Sequence, residues 1–135
     1  MESESLEAVH RFVDAINSHD STALCQLLSS GHRFVDSLGT AVEGRENVTA
    51  AWRSYFEMVP AYRLKIESEM VSCATVVLFG RASGNLAVQG VAISKSEWST
   101  PVCVRSRVES CLVEEWQVYS DNEPVRALLR MCHSG

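Results

Sequence analysis

At 135 residues with a net charge of −5, the chain is one domain by size, able to bury roughly two thirds of its unfolded surface around a single core. Hydrophobic residues make up 46% and charged residues 21%, and no Lys/Arg cluster breaks the acidic balance, so nucleic acid and anionic membrane are excluded as expected partners. No apolar run reaches the roughly 18 residues that a membrane span requires.

The opening MESESLEAVH is acidic and already helical in pattern, unlike a secretion signal, so a cytoplasmic location is expected. Leu6, Val9, Val13 and Ile16 recur at helical spacing, with Ala8 and Phe12 beside them, and predict a first helix over Glu4 to Asn17. The polar break Asn17-Ser18-His19-Asp20 follows, and Asp20 or Ser21 can cap a shorter second helix. Its inward residues would be Ala23, Leu24, Leu27 and Leu28, and Ser29-Ser30-Gly31 would stop it. Two helices so closely joined should pack antiparallel.

A short strand is expected over His32 to Asp36, then a turn in which Gly39 can take a positive φ. Gly44 opens a third helix over Arg45 to Met58, with a broad apolar stripe of Val48, Ala51, Trp52, Tyr55, Phe56 and Val59, ended by Pro60.

Beyond Pro60 the period falls to two. Tyr62, Leu64, Ile66, Ser68 and Met70 alternate with charged residues, as in a strand with one wet face. Ala74 to Arg81 is apolar and β-branched, the mark of a more central strand. Residues 83–96 read as a loop with room for one helical turn, long enough to form a lid or rim. Trp98, Thr100, Val102 and Val104 share one face of the next strand, and Pro101 should mark an edge or bulge in it. A hairpin turn is expected at Glu109-Ser110. The last strand carries Leu112, Glu114, Trp116, Val118 and Ser120 on one face, with Val113, Glu115, Gln117, Tyr119 and Asp121 on the other. Asn122-Glu123-Pro124 starts a short terminal helix through about Met131. Helices first and strands afterwards predict an α+β domain over residues 1–135.

The five cysteines include no CxxC pair and are expected to be reduced and mostly buried. The four histidines show neither HxxxH nor HExxH spacing, so neither a metal nor a cofactor is expected.

Asp36 is the foremost candidate for chemistry. A carboxylate at the exit of a buried strand needs a partner or a task. It is either a general base in an apolar pocket or an Asx-turn residue bonded to the backbone of the turn. His32 shares its strand and is a second proton-carrying candidate, or else a plain strand-edge histidine.

Three stretches carry a resemblance that covers nearly the whole chain: Arg11-Phe12-Val13 through Asp20, Phe34 to Gly39 followed by Gly44-Arg45-Glu46, and Glu115 to Asn122. They resemble the nuclear-transport-factor-2-like superfamily, in its SnoaL-like and ketosteroid-isomerase-like branch. The resemblance implies a cone of three helices on a strongly curved, mainly antiparallel sheet. It also implies an internal cavity for a small apolar molecule, and dimers through the outer sheet face, here Cys103, Arg105, Gln117 and Tyr119. Asp36 falls on the position of the isomerase general base, and Trp52 on that of a pocket tyrosine. The isomerase oxyanion donors are missing: Phe12 stands at the tyrosine position, and Val104 or Cys103 at that of the protonated aspartic acid. Nor does the sequence assemble the Asp-Arg-Asp set by which this fold hydrolyses epoxides.

The resemblance implies a pocket lined by Phe12, Phe34, Trp52, Tyr55, Trp98, Val102, Val104, Trp116, Val118 and Ser120. Three functions fit: a small enzyme moving a proton beside a carbonyl, isomerase- or cyclase-like; a carrier with the same cavity and no chemistry; or a dimeric protein-interaction scaffold.

Overall fold

Helices and strands segregate along the chain. The computed structural model describes residues 2–134, with side chains through Met131. The order is α1 (Glu2–Asn17), α2 (Ser21–Leu27), β1 (Leu28–Val35), β2 (Ala41–Glu43), α3 (Arg45–Met58), β3 (Arg63–Ser72), β4 (Thr75–Gly84), β5 (Ala87–Val88), β6 (Val91–Ala92), β7 (Trp98–Glu109), β8 (Leu112–Ser120) and α4 (Glu123–Ser134). This is an α+β fold with a curled, mixed sheet in the order β2-β1-β8-β7-β4-β3. Only the β1–β8 pair of that sheet runs parallel. Among the described residues, no helix is long and apolar enough to cross a membrane.

The helical stripes meet the sheet as their spacing dictates. Ala8, Val9, Phe12, Val13 and Ile16 of α1 are buried, and α1 lies across β3, β4, β7 and β8. Asp20 caps α2, accepting from the Ala23 amide at 3.0 Å. Helix α3 buries Val48, Trp52 and Phe56 and packs on β1, β2 and α2. The inward residues of β7, from Trp98 through Val108 at every second position, are all buried. Ser106 pairs with Trp116, so Trp98 and Trp116 lie on the same sheet face.

Several local expectations give way. The second helix is not stopped by Ser29-Ser30-Gly31: Leu28 turns extended at φ −87°, ψ 137°, and β1 begins there. Strand β2, too short to show a period, pairs back on β1 after the Gly39 turn, where φ is 86°. Residues 83–96 hold the small β5–β6 hairpin and no helical turn. The β7–β8 turn sits one residue later than expected, with Ser110 and Cys111 both at positive φ, as a tight hairpin requires. Pro101 lies in an interior strand, but β8 ends opposite Val102, so on that flank Pro101 is past the ladder.

Besides the register break in β1 between Leu28 and Arg33, two β-bulges shift the alternation, in β3 and β8. In β3, Ile66 pairs with Gly80 and Ser68 with Phe79, leaving Glu67 as the extra residue. Val71 then turns to the core, and Met70 is left 66% exposed. In β8, Glu115 pairs with Arg107 and Val113 with Val108, so Glu114 is the extra residue. Val113 and Trp116 thereby both become core residues.

Among the described residues, the cysteines do not join the core. Cys73 and Cys111 are exposed in turns, Cys25 and Cys103 half-buried, and all four are free. The side chain of Cys132 lies outside the described residues.

Candidate functional site

A pocket of about 450 Å³ opens between the sheet, α3 and α4, a size usual for small-molecule sites. Its floor is the inward face of three neighbouring strands: Val118 and Ser120 of β8, Thr100 and Val102 of β7, and Ala82 of β4. Ala51, Trp52 and Tyr55, one turn of α3, form one wall. At the β1 flank stand Phe34, Asp36 and Val42, and at the opposite flank Tyr62, just ahead of β3, and Trp98. Ser37 and Leu38 of the Asp36 turn, Asp121 and Asn122 after β8, and Val125, Arg126 and Leu129 of α4 complete the lining.

Aromatic rings dominate the wall. Trp52 meets Phe34 edge to face at 5.5 Å and Tyr55 at 6.3 Å. Tyr55 meets Tyr62 edge to face at 5.0 Å, and Tyr62 lies 6.1 Å from Trp98. The indole N–H groups of Trp52 and Trp98 are buried without a hydrogen-bond partner among the described residues. Leaving such a donor unmet costs about 1–3 kcal/mol. Burial pushes the Tyr62 hydroxyl up to about 12 and raises that of Tyr55 as well, with a further push from Tyr62. Both phenols therefore keep their protons at neutral pH.

Asp36 sits where β1 ends. Its Oδ1 accepts from the amides of Leu38 at 2.9 Å and Thr40 at 3.0 Å, and its own amide donates to the Thr40 carbonyl. The carboxylate is thus an Asx-turn acceptor on one oxygen and a pocket-lining group as well. Beside it, Ser37 Oγ donates to Asn122 Oδ1 at 2.6 Å, tying the turn to the start of α4. Thr100 Oγ1 donates to the Asp121 carbonyl at 3.2 Å.

Of the residues singled out in the sequence, the structure brings Asp36, Phe34, Trp52, Tyr55, Trp98, Val102, Val118 and Ser120 onto this pocket. Phe12, Val104 and Trp116 go instead to the closed core, where Phe12 and Trp116 rings lie 4.5 Å apart. The positions that the resemblance assigns to oxyanion donors therefore hold two buried apolar side chains, Phe12 and Val104, with Cys103 on the other sheet face. His32 is not an edge residue. It is fully buried, its Nδ1 2.6 Å from the Val113 carbonyl, and it does not line the pocket. Burial lowers its pKa, outweighing the Val113 carbonyl and the Glu115 charge.

Sequence reasoning missed Tyr62, Thr100, Asp121 and the α4 residues. Alternation puts Asp121 on the outer face, but β8 ends at Ser120 and the chain turns, so Asp121 joins the pocket. Asp36, Asp121 and Arg126 thus all line it, a juxtaposition only the β8–α4 turn creates, and Arg126 makes no ion pair with either. The apolar face of α4 was the available signal for its docking over the sheet. Among the described residues, no group of three or more His, Cys, Asp or Glu side chains could hold a metal ion.

A helical layer on a curled sheet, with a pocket at its open end, defines the nuclear-transport-factor-2-like class. Within it, residues 9–116 match the SnoaL-like domain model, and the chain belongs to that family. No curated protein matches the sequence. Among solved structures, a SnoaL-like protein of Jannaschia sp. CCS1 that carries the name polyketide cyclase is similar over 94% of this chain and 92% of its own, at 23% identity and TM-score 0.81. A hypothetical protein of Catenulispora acidiphila DSM 44928 with a ketosteroid-isomerase-like fold, in complex with trimethylamine, covers 90% and 91% at 19% identity and TM-score 0.79. An M. tuberculosis LEH-like epoxide hydrolase covers 96% and 86% at 16% identity and TM-score 0.80. At these identities the likeness is one of fold.

Proposed function

We propose that this SnoaL-like domain binds a small, flat, largely apolar molecule in the pocket beneath α4, and that Asp36 moves a proton on it in an isomerase- or cyclase-type reaction. The observation that carries the reading is the Asp36 carboxylate at the β1 flank of a pocket whose walls are mainly aromatic and aliphatic, with Asp121 and Arg126 on its α4 side. Asp36 would take a proton from a carbon beside a carbonyl, and the electron pair would move to the carbonyl oxygen as an enolate. Return of the proton to another carbon completes an isomerisation; attack of the enolate carbon on a second carbonyl, with the proton passed to its oxygen, completes a ring closure. The aromatic wall would keep water from the carbanion. The chemistry uses no cofactor.

A second reading, a carrier without chemistry, is favoured by the commitment of Asp36 Oδ1 to two turn amides. Within either reading the domain is a cytoplasmic homodimer. Its free thiols at Cys25, Cys73, Cys103 and Cys111 suit a reducing compartment. The outer face offers Phe79, Cys103 and Tyr119, which register aligns across three strands.

The test is a crystal structure or native mass spectrum of protein purified without added ligand, then soaked with small aromatic ketones. Density or added mass between Asp36 and Trp52 supports the reading. No uptake of any such compound overturns it.

A further inference from the structure

We propose that Tyr55 and Tyr62 form a paired hydrogen-bond donor site for one neutral oxygen, a ketone or phenol oxygen, of the molecule the pocket binds. This rests on the small-molecule reading above and adds to it where the oxygen lies.

Tyr55 belongs to α3 and Tyr62 leads into β3, yet their rings meet edge to face at 5.0 Å and 81°, and both line the pocket. Neither hydroxyl has a hydrogen-bond partner among the described residues, although neither residue is exposed. Both hydroxyls belong to half-buried residues that border the pocket, where a ligand can meet them. On either side of the pair stand Trp52 and Trp98, more than nine-tenths buried, with indole N–H groups equally unpartnered. One end of the pocket thus presents two phenol hydroxyls with no partner among the described residues, while the indole N–H groups beside them are enclosed. An oxygen acceptor on the ligand can take both phenol O–H donors, whereas an apolar ligand would displace their water and leave them unmet. No Lys or Arg stands within this aromatic group, so a neutral oxygen suits it better than a carboxylate.

The sheet order then sets the ligand's orientation. Asp36 ends β1 and Tyr62 precedes β3, with β8, β7 and β4 between them. The oxygen held by the tyrosines and the atom facing Asp36 would lie toward opposite ends of the bound molecule. That selects an extended, flat ketone or phenol over a compact one.

The probes are 2-acetylnaphthalene and 2-ethylnaphthalene, alike in shape and differing in the carbonyl oxygen. Affinities are measured by ligand fluorescence for wild type, Tyr55→Phe and Tyr62→Phe, with melting curves to confirm folding. The C=O stretch of bound 2-acetylnaphthalene is recorded by infrared difference spectroscopy. The expected result is tighter binding of the ketone by wild type and a carbonyl stretch shifted to lower frequency. Each Phe variant should lose about five- to tenfold in ketone affinity, a lost neutral hydrogen bond, and leave 2-ethylnaphthalene unchanged. If both probes bind wild type alike and the stretch does not shift, the donor site is overturned while the pocket reading stands. If neither probe binds, the pocket reading fails and the donor site with it.

Discussion

His32 Nδ1 lies 2.6 Å from the carbonyl oxygen of Val113 and joins the interior of β1 to the start of β8. The ring is fully buried, 6.2 Å from that of Phe12, and its Nε2 has no partner among the described residues. A neutral imidazole with its proton on Nδ1 fits this geometry, donating to the carbonyl. The histidine that the sequence suggests as a proton carrier is therefore a structural clasp at the site of the β8 bulge.

That clasp predicts a pH dependence. Burial lowers the His32 pKa below the ordinary 6.5, so the unfolded chain takes up a proton that the folded chain refuses. The stability involved is full above 6.5 and is lost as pH falls from there through the lowered folded value. Wild type should melt at a lower temperature at about pH 5.5 than at about pH 7.5, and His32→Gln, which keeps a donor but does not titrate, should show a flatter profile. Parallel profiles for the two proteins would refute the assignment.

The β3 bulge predicts a backbone-limited site at Gly80. A Cβ built there would come within 1.9 Å of the Lys65 carbonyl oxygen, and the neighbour in the way is backbone. Gly80→Ala should destabilise the fold by about 1–3 kcal/mol or more, since relief requires moving the bulged strand. Chemical denaturation measures this directly. An unchanged midpoint would mean that the two strands do not approach in this way.

Two substitutions at Asp36 separate a base from a carrier and measure what the turn bonds contribute. As a base, Asp36→Asn should abolish turnover and leave ligand affinity nearly unchanged. In a carrier, affinity should change modestly and there is no turnover to lose. In either case Asn can keep the bonds to Leu38 and Thr40, whereas Asp36→Ala removes both acceptor contacts and should cost about 1 kcal/mol of stability. Melting temperature, affinity and product formation on both variants distinguish these outcomes.

The outer face predicts assembly. Phe79 is 39% and Tyr119 47% exposed, and Cys103 lies in register between them. A two-fold dimer through this face would cover all three. Light scattering at micromolar concentration should give a dimer for wild type and a monomer for Phe79→Glu. A strict wild-type monomer removes the idea.

What the sequence by itself determined is whatever depends on near neighbours along the chain. The stripes of α1 and α3 set their buried faces, Asp20 and Gly44 set the helix starts, and alternation in β7 set its inward residues, because side-chain direction repeats every 3.6 or two residues. The same local logic placed Asp36 at a strand exit, whereas Phe34 and Trp52 became pocket candidates only through the family resemblance. Only the tertiary structure decided which aromatic residues face open space. Phe12 and Trp52 both sit on apolar helical stripes, yet sheet curvature and the crossing of α1 close over the first while the second lines the pocket. The bulges at Glu67 and Glu114 were hidden because one extra residue reverses parity without changing composition, and it is the partner strand that selects the register. Tyr62, Asp121 and Arg126 reach the pocket through a strand lead-in, a turn and a docked terminal helix. Such long-range juxtapositions have no period in the chain, since they follow from the curl of the sheet and the burial it permits.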